Sequence, residues 1–180
     1  MQFDRVVHDK VFSPFIFEDE IALKVKNLSH QIQKDYMGDK IVFVAILNGA
    51  FMFASDLLKE ILCDIQISFV KVSSYIGIET SGRVDELIGL NTDLDGKHVI
   101  ILEDIVDTGI TIDKIISLLN DQKPLSVEVC TLLFKPDAFL GKQKPKYIGF
   151  SIPNKFVVGY GLDYDELGRN FKEIYQLKEI

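Results

Sequence analysis

The 180-residue chain has no apolar run approaching the roughly 20 residues that a membrane-spanning helix requires, so no membrane anchor is expected. Its first residues, MQFDRVVHDKVF, lack a long apolar segment and a small-residue cleavage site, so no signal peptide is expected and a cytoplasmic location follows. Cysteine is scarce. Cys63 and Cys130 lie in apolar stretches without the spacing of metal ligands, and both are expected as buried, reduced thiols. An excess of positive charge is also missing. With 20 Lys and Arg against 27 Asp and Glu, the net charge is −7, which argues against a surface built to hold nucleic-acid phosphates. A small anionic ligand stays compatible, because local amides and a few cations hold phosphate within an acidic protein. Internal repeats, low-complexity tracts and composition breaks are absent too, so residues 1–180 are expected to form one domain.

What is present is the balance of a globular protein, 47% hydrophobic and 26% charged, in a chain long enough to bury a sizeable core. From Glu18 to about Tyr36, apolar residues fall at Ile21, Val25, Leu28, Ile32 and Tyr36, the spacing of one helix face. KIVFVAIL (40–47) is a continuous apolar run, which suits a strand buried on both faces of a parallel sheet. FMFASDLLKEIL (51–62) reads as a helix and DIQISFVKVSSY (64–75) as a strand. HVIILED (98–104) is a third strand, followed by a helix over 110–120 with Ile112, Ile115, Ile116 and Leu119 on one face. SVEVCTLLF (126–134) is a fourth strand, and KYIGFSI and KFVVGYG suggest later ones. Strands alternating with helices imply an α/β fold, a mainly parallel twisted sheet with helices on both faces. Ligands bind such sheets where loops leave the carboxyl ends of strands, so the exits LNGA, SSYIGIETSGRV, EDIVDTGIT and FKPDAF are the places to search.

EDIVDTGIT places three carboxylates, Glu103, Asp104 and Asp107, at the tip of an apolar strand. A polar turn in which Asp107 or Thr108 caps a helix accounts for one of them. The other two repel each other unless a cation or hydroxyl donors are present. Gly109 lets the backbone approach a ligand, and the following helix start offers unpaired amides and positive dipole to a phosphate. Phosphate on the amides together with hydroxyls or a divalent ion on the acids describes a sugar-phosphate site, and Mg²⁺ suits oxygen ligands of this kind.

VIILEDIVDTGITI (99–112) resembles the signature of phosphoribosyltransferases that use phosphoribosyl pyrophosphate. Further along, LFKPDAF (133–139) and IPNKFVVGYGLDYDELGRNF (152–171) resemble the purine-binding half of the hypoxanthine-guanine phosphoribosyltransferase family. LNGAFMFASDL (47–57) and VSSYIGIETSGRV (72–84) resemble that family's pyrophosphate loop and mobile lid. The resemblance runs from about residue 40 to near the end, with four motifs in the family's order. It implies a phosphoribosyltransferase-type sheet carrying a small base-binding hood and a mobile lid loop.

The resemblance also implies roles. Glu103 and Asp104 hold the ribose hydroxyls, directly or through Mg²⁺, and the stretch Ile105, Val106, Asp107, Thr108, Gly109, Ile110 and Thr111 cradles the ribose phosphate. Asp107 takes or shares the proton of the attacking ring nitrogen, a role a carboxylate suits, although a helix-capping Asp would look the same. Lys135 donates to the exocyclic oxygen of a six-oxopurine and so rejects adenine; without that context it reads as a solvated surface cation. Phe156 stacks on the purine and Val157 meets it through its backbone, although KFVV also reads as a core strand. Asp163 reaches a second Mg²⁺ near the base, and Arg169 clamps pyrophosphate with its planar fork. Leu47, Asn48 and Gly49 form the pyrophosphate loop. Asn48 stands where the family commonly has Lys, which removes a cation. Ser74 and Tyr75 match the lid dipeptide, and a lid suits a reactive sugar that water would otherwise intercept.

The implied reaction is transfer of the phosphoribosyl group to hypoxanthine or guanine, with Mg²⁺ as cofactor, small molecules as partners and a homodimer or homotetramer as the assembly. The rival readings are another acceptor base such as xanthine or a pyrimidine, a non-catalytic RNA-binding regulator on the same fold, and an acidic receiver domain. His8, His30 and His98 form no spaced cluster and are assigned structural or surface roles.

Overall fold

The structure, a computed structural model, describes residues 3–73 and 86–178. The chain opens with two short strands, β1 (Arg5–Val7) and β2 (Lys10–Ile16), and a long helix, α1 (Glu18–Asp35). Glu18, Asp19 and Glu20 place negative charge at the positive end of α1, and Glu20 Oε2 accepts the Phe17 N–H at 3.0 Å. Its buried residues include Ile21, Val25, Leu28 and Ile32, the stripe that the apolar spacing foresees.

Then follow β3 (Ile41–Ile46), α2 (Phe51–Lys59), β4 (Gln66–Ser73), β5 (Glu86–Ile88) and β6 (His98–Val106). After α3 (Ile110–Asn120) come β7 (Ser126–Phe134), β8 (Tyr147–Ser151), β9 (Val157–Val158) and β10 (Ile174–Leu177). Six strands form the central sheet in the order β5-β4-β3-β6-β7-β8, all parallel except the edge strand β5. Every residue of β3 is buried. Phe43 and Ala45 join the layer beneath α1 and α2, whereas Val42 and Val44 join the layer beneath α3, with Ile112, Ile115 and Leu119. The expected helices on both faces are present, two on one side and one on the other.

From β3 the chain winds through α2 to β4 on one side; from β6 it winds through α3 to β7 on the other. The direction of winding reverses between β3 and β6, and at such a reversal the exit loops diverge and leave a crevice. Those exits are residues 47–50 and 107–109.

A second sheet, antiparallel and four-stranded, has the order β1-β2-β10-β9. Its first two strands and β10 carry mixed burial and no clean alternation, and the sequence reading did not foresee them. KFVVGYG contributes only Val157–Val158 as strand, in this sheet rather than the central one. Cys130 is buried in β7 as expected, but Cys63 is exposed. The helix expected to reach residue 62 ends at Lys59, and Gln33 holds the departing chain by accepting the Leu62 N–H at 2.9 Å. Residues 62 and 63 thereby turn out of the apolar layer. Neither thiol is in a disulfide. Among the described residues no helix is long and apolar enough to cross a membrane.

Phe43 is fully enclosed between helices and sheet. Phe43→Ala should lower the unfolding free energy by about 3–5 kcal/mol, measured by urea denaturation at unchanged ionic conditions.

Candidate active site

Strand β6 runs two residues further than expected, to Val106, so both Glu103 and Asp104 belong to the strand. Adjacent strand residues leave the backbone on opposite sides, although the two carboxyls stay close enough to interact. Glu103 lines a cleft of about 140 Å³ at the start of α3, together with Ile105, Val106, Asp107, Thr108, Gly109 and Thr111. Of the stretch 103–111 only Asp104 and Ile110 are not in its wall; Ile110 is half exposed. Gly109 is the N-cap of α3 with φ 80°, and no side chain caps the helix there. A Cβ on Gly109 would stand 2.4 Å from the Phe139 ring, so both backbone angle and space require glycine. The helix start thus opens onto the cleft with the amides and dipole that seat a phosphate.

Asp104, 8% exposed, turns toward the other exit loop. A Cβ on Gly49 would lie 1.7 Å from Asp104 Oδ2, so only glycine allows this loop to lie on the carboxylate. Leu47 and Gly49 are half-buried and Asn48 is exposed; the Leu47–Asn48 peptide is cis.

The electrostatics are unfavourable without a ligand. Burial pushes the Glu103 carboxyl well above the ordinary range, and the neighbouring Asp104 charge and a hydrogen bond with Asp104 add to this. Although part of its side chain is accessible, Glu103 Oε2 is enclosed with no hydrogen-bond partner. Burial likewise raises Asp104 to about 6; the Ile105 and Asp104 amides and the Arg169 guanidinium oppose the shift, and Asp163 adds to it. Two crowded, under-solvated carboxylates with one orphaned oxygen fit an oxygen-seeking divalent cation. Among the described residues no group of three His, Cys, Asp or Glu side chains forms a ready cation cage. Mg²⁺ is compatible with that, since it keeps waters and takes substrate oxygens as its remaining ligands.

The base side is built from the ends of later elements. Lys135, just past β7, is 7% exposed, and its Nζ donates to Asp107 Oδ2 at 2.8 Å. It is therefore an enclosed, paired cation and not the solvated one that lysine usually supplies. Phe156 is 44% exposed, whereas Val157 and Val158 are buried. Its ring is backed by Phe12 at 6.2 Å and by Tyr164 edge-on at 5.8 Å, which leaves a presented apolar platform. Asp163 Oδ1 pairs with Arg169 at 2.7 Å, and Asp163 Oδ2 accepts the Glu166 N–H. Arg169 also donates to the Gly161 carbonyl at 2.8 Å. Asp165 and Glu166 occupy the exposed turn beyond, as solvated turn residues do.

The structure thus gathers Glu103, Asp104, Asp107, Lys135, Asp163 and Arg169 at the strand exits flanking the winding reversal. The lid residues Ser74 and Tyr75 lie outside the described residues. Sequence reasoning missed the hairpin at residues 8–10, whose Asp9 accepts the Tyr164 hydroxyl at 2.9 Å and whose Lys10 sits 4.4 Å over the Tyr164 ring. No local signal marks such contacts, since the partners lie 155 residues apart.

A mainly parallel sheet with this acidic strand exit, an uncapped helix start beside it and an antiparallel second sheet fits the fold of a sugar-phosphate transferase. A family profile described as the phosphoribosyl transferase domain matches residues 16–165, and the chain belongs to that phosphoribosyltransferase family. Within it, the chain is 43% identical to a hypoxanthine-guanine phosphoribosyltransferase of Staphylococcus aureus over 96% of this chain and 97% of that one. It is 40% identical to a hypoxanthine phosphoribosyltransferase of Haemophilus influenzae, covering 86% and 89% of the two chains. A crystal structure of a Staphylococcus aureus hypoxanthine phosphoribosyltransferase superposes with a TM-score of 0.84 at 44% identity, covering 92% of this chain and 91% of that one.

Folded Asp104 binds its proton more tightly than unfolded Asp104 does, so its contribution to stability is full below pH 3.8 and is lost as pH rises through about 6. A shift of this size corresponds to about 3 kcal/mol. In the ion-free protein, Asp104→Asn should therefore stabilise the fold by about 1–3 kcal/mol near pH 8, with little effect near pH 3, read from urea denaturation at both.

Proposed function

We propose that the chain transfers the phosphoribosyl group of phosphoribosyl pyrophosphate to hypoxanthine or guanine, giving IMP or GMP and pyrophosphate, in purine salvage. The observation that carries this reading is the enclosed Lys135–Asp107 pair standing beside the phosphate cleft of β6 and α3. The two sheets act as one domain, the central one holding the sugar phosphate and the hood holding the base. The acceptor is a free purine, the site of action the cytoplasm, and the working form a homodimer or homotetramer.

In the reaction the ring nitrogen of the purine forms a bond to C1 of the ribose as the bond from C1 to the pyrophosphate oxygen breaks. Pyrophosphate leaves with that electron pair, and the ring nitrogen gives up its proton. Asp107 receives the proton: it is half exposed on the cleft wall and reaches the base side through Lys135. The positive charge that develops on the sugar lies near Glu103 and Asp104, where ionised carboxylates stabilise it. Lys135 exchanges its bond to Asp107 for one to the six-oxo group, which frees Asp107 to meet the ring N–H. A buried ammonium demands an acceptor, so an amino group at that position is refused. Phe156 stacks on the purine and Val157 presents its backbone to it. The backbone of Leu47, Asn48 and Gly49, with Arg169, binds the pyrophosphate end, and Thr108, Gly109 and Thr111 at the helix start bind the ribose phosphate.

Glu103, Asp104 and Asp163 are the residues that would hold Mg²⁺. When bound, the ion neutralises the acids and the leaving pyrophosphate.

Purified protein given phosphoribosyl pyrophosphate, Mg²⁺ and each purine in turn should form IMP or GMP but not AMP. A well-folded preparation that forms no nucleotide would overturn the reading. Asp107→Asn should lower kcat by about 10²- to 10⁴-fold while nucleotide affinity changes little, measured by steady-state kinetics and calorimetry.

A further inference from the structure

The pyrophosphate loop is not held by its own hydrogen bonds alone. Residues 47–50 lead directly into α2, which Phe53, Ala54 and Leu57 anchor in the core. On the outer side of α2, Asp56 Oδ2 accepts a 2.6 Å hydrogen bond from the hydroxyl of Tyr160. The Tyr160 ring is buried, and its backbone takes φ 49° in the turn Gly159-Tyr160-Gly161. The next residue, Gly161, donates its N–H to the Arg169 carbonyl at 2.9 Å and accepts from Arg169 Nη1 at 2.8 Å. Its α-carbon lies so close to the loop that a Cβ there would stand 2.0 Å from the Gly49 carbonyl oxygen. Gly49 in turn lies against Asp104. The contacts close a ring: loop, α2, Asp56, Tyr160, Gly161, loop.

We propose that Tyr160 is a positioning residue for the pyrophosphate loop, its hydrogen bond to Asp56 pressing Gly161 onto Gly49 and so setting affinity for the diphosphate end of the substrate. This rests on the reading above that residues 47–49 and Arg169 bind pyrophosphate. A hydroxyl donating to a carboxylate is stronger than a neutral pair, and its direction is fixed at every working pH, since burial and Asp56 hold the phenol well above its ordinary range. The bond spans 104 residues of sequence and joins α2, which follows the loop, to the turn that carries Gly161, so it limits their separation. The second partner of Asp56, Lys59 at 2.7 Å, lies in the exposed ion pair that such surface geometry makes weak.

Tyr160→Phe removes the hydroxyl and keeps the ring, so packing stays and only the tether is lost. Steady-state kinetics should then show KM for phosphoribosyl pyrophosphate rising about tenfold, with KM for the purine at saturating donor and kcat within about twofold of wild type. Asp56→Asn retains an acceptor oxygen but loses the charge and should raise KM less than Tyr160→Phe does, whereas Asp56→Leu should reproduce the Tyr160→Phe loss from the other side of the bond. Equal rises in both KM values, or none, would overturn the proposal, the first marking a merely structural tyrosine. Calorimetric binding of pyrophosphate with Mg²⁺, compared between wild type and Tyr160→Phe, separates this inference from the one beneath it. Weaker binding by the variant supports the tether even where the wild type forms no nucleotide, and equal affinity overturns it whatever the activity.

Discussion

Two carboxylates on consecutive residues at the end of the most central acidic strand, one with an enclosed and unpartnered oxygen, set the terms for the rest of the molecule. Burial there opposes ionisation, and on the proposed reading ionisation is what binds a cation and steadies a positive sugar. The protein tolerates the conflict because β6 is flanked by β3 and β7 and cannot give way. A strained electrostatic arrangement on a rigid strand is unfavourable when empty and favourable when a cation and sugar fill it. On the proposed reading, stability and activity are opposed at Asp104.

Around this pair the fold supplies neutral geometry. Glycines stand where a side chain would displace an acid or close the cleft, at Gly49 against Asp104 and at Gly109 against Phe139. Lys135 and Arg169 are each paired with a carboxylate of the site, Asp107 and Asp163, so both cations are held in place before any ligand enters. Ligand binding on this reading is an exchange of partners and not the creation of new charge contacts, which lowers the desolvation each step must meet.

Much of this was legible in the chain. The apolar stripe of α1, the unbroken run of β3 and the acidic exit of β6 are local patterns with local causes, and each stands where it was expected. The hood was not legible as strands. Residues of β2 alternate poorly, and their partners in β10 lie some 160 positions away, so periodicity carries no sign of the pairing. Cys63 misled because it lies in an apolar stretch, whereas the chain leaves the buried layer after Lys59. Phe156 could be read either as core or as platform, and only the packing of Phe12 and Tyr164 behind it distinguishes them. The Asp56–Tyr160 bond has no sequence signature, though the glycines on either side of Tyr160 mark a turn made for close approach.

The order of strands in the hood has a consequence for how the molecule comes apart. Among the described residues β9, which leads on from Phe156, is hydrogen-bonded as a strand to β10 alone, and β10 in turn rests on β2. The central sheet draws on neither. Fraying from residue 178 inward would release the aromatic platform first while leaving the strands of residues 41–151 fully hydrogen-bonded. Partial unfolding or trimming at that end would leave the cleft at the start of α3 and the Lys135–Asp107 pair in place beside a Phe156 that has lost its strand support.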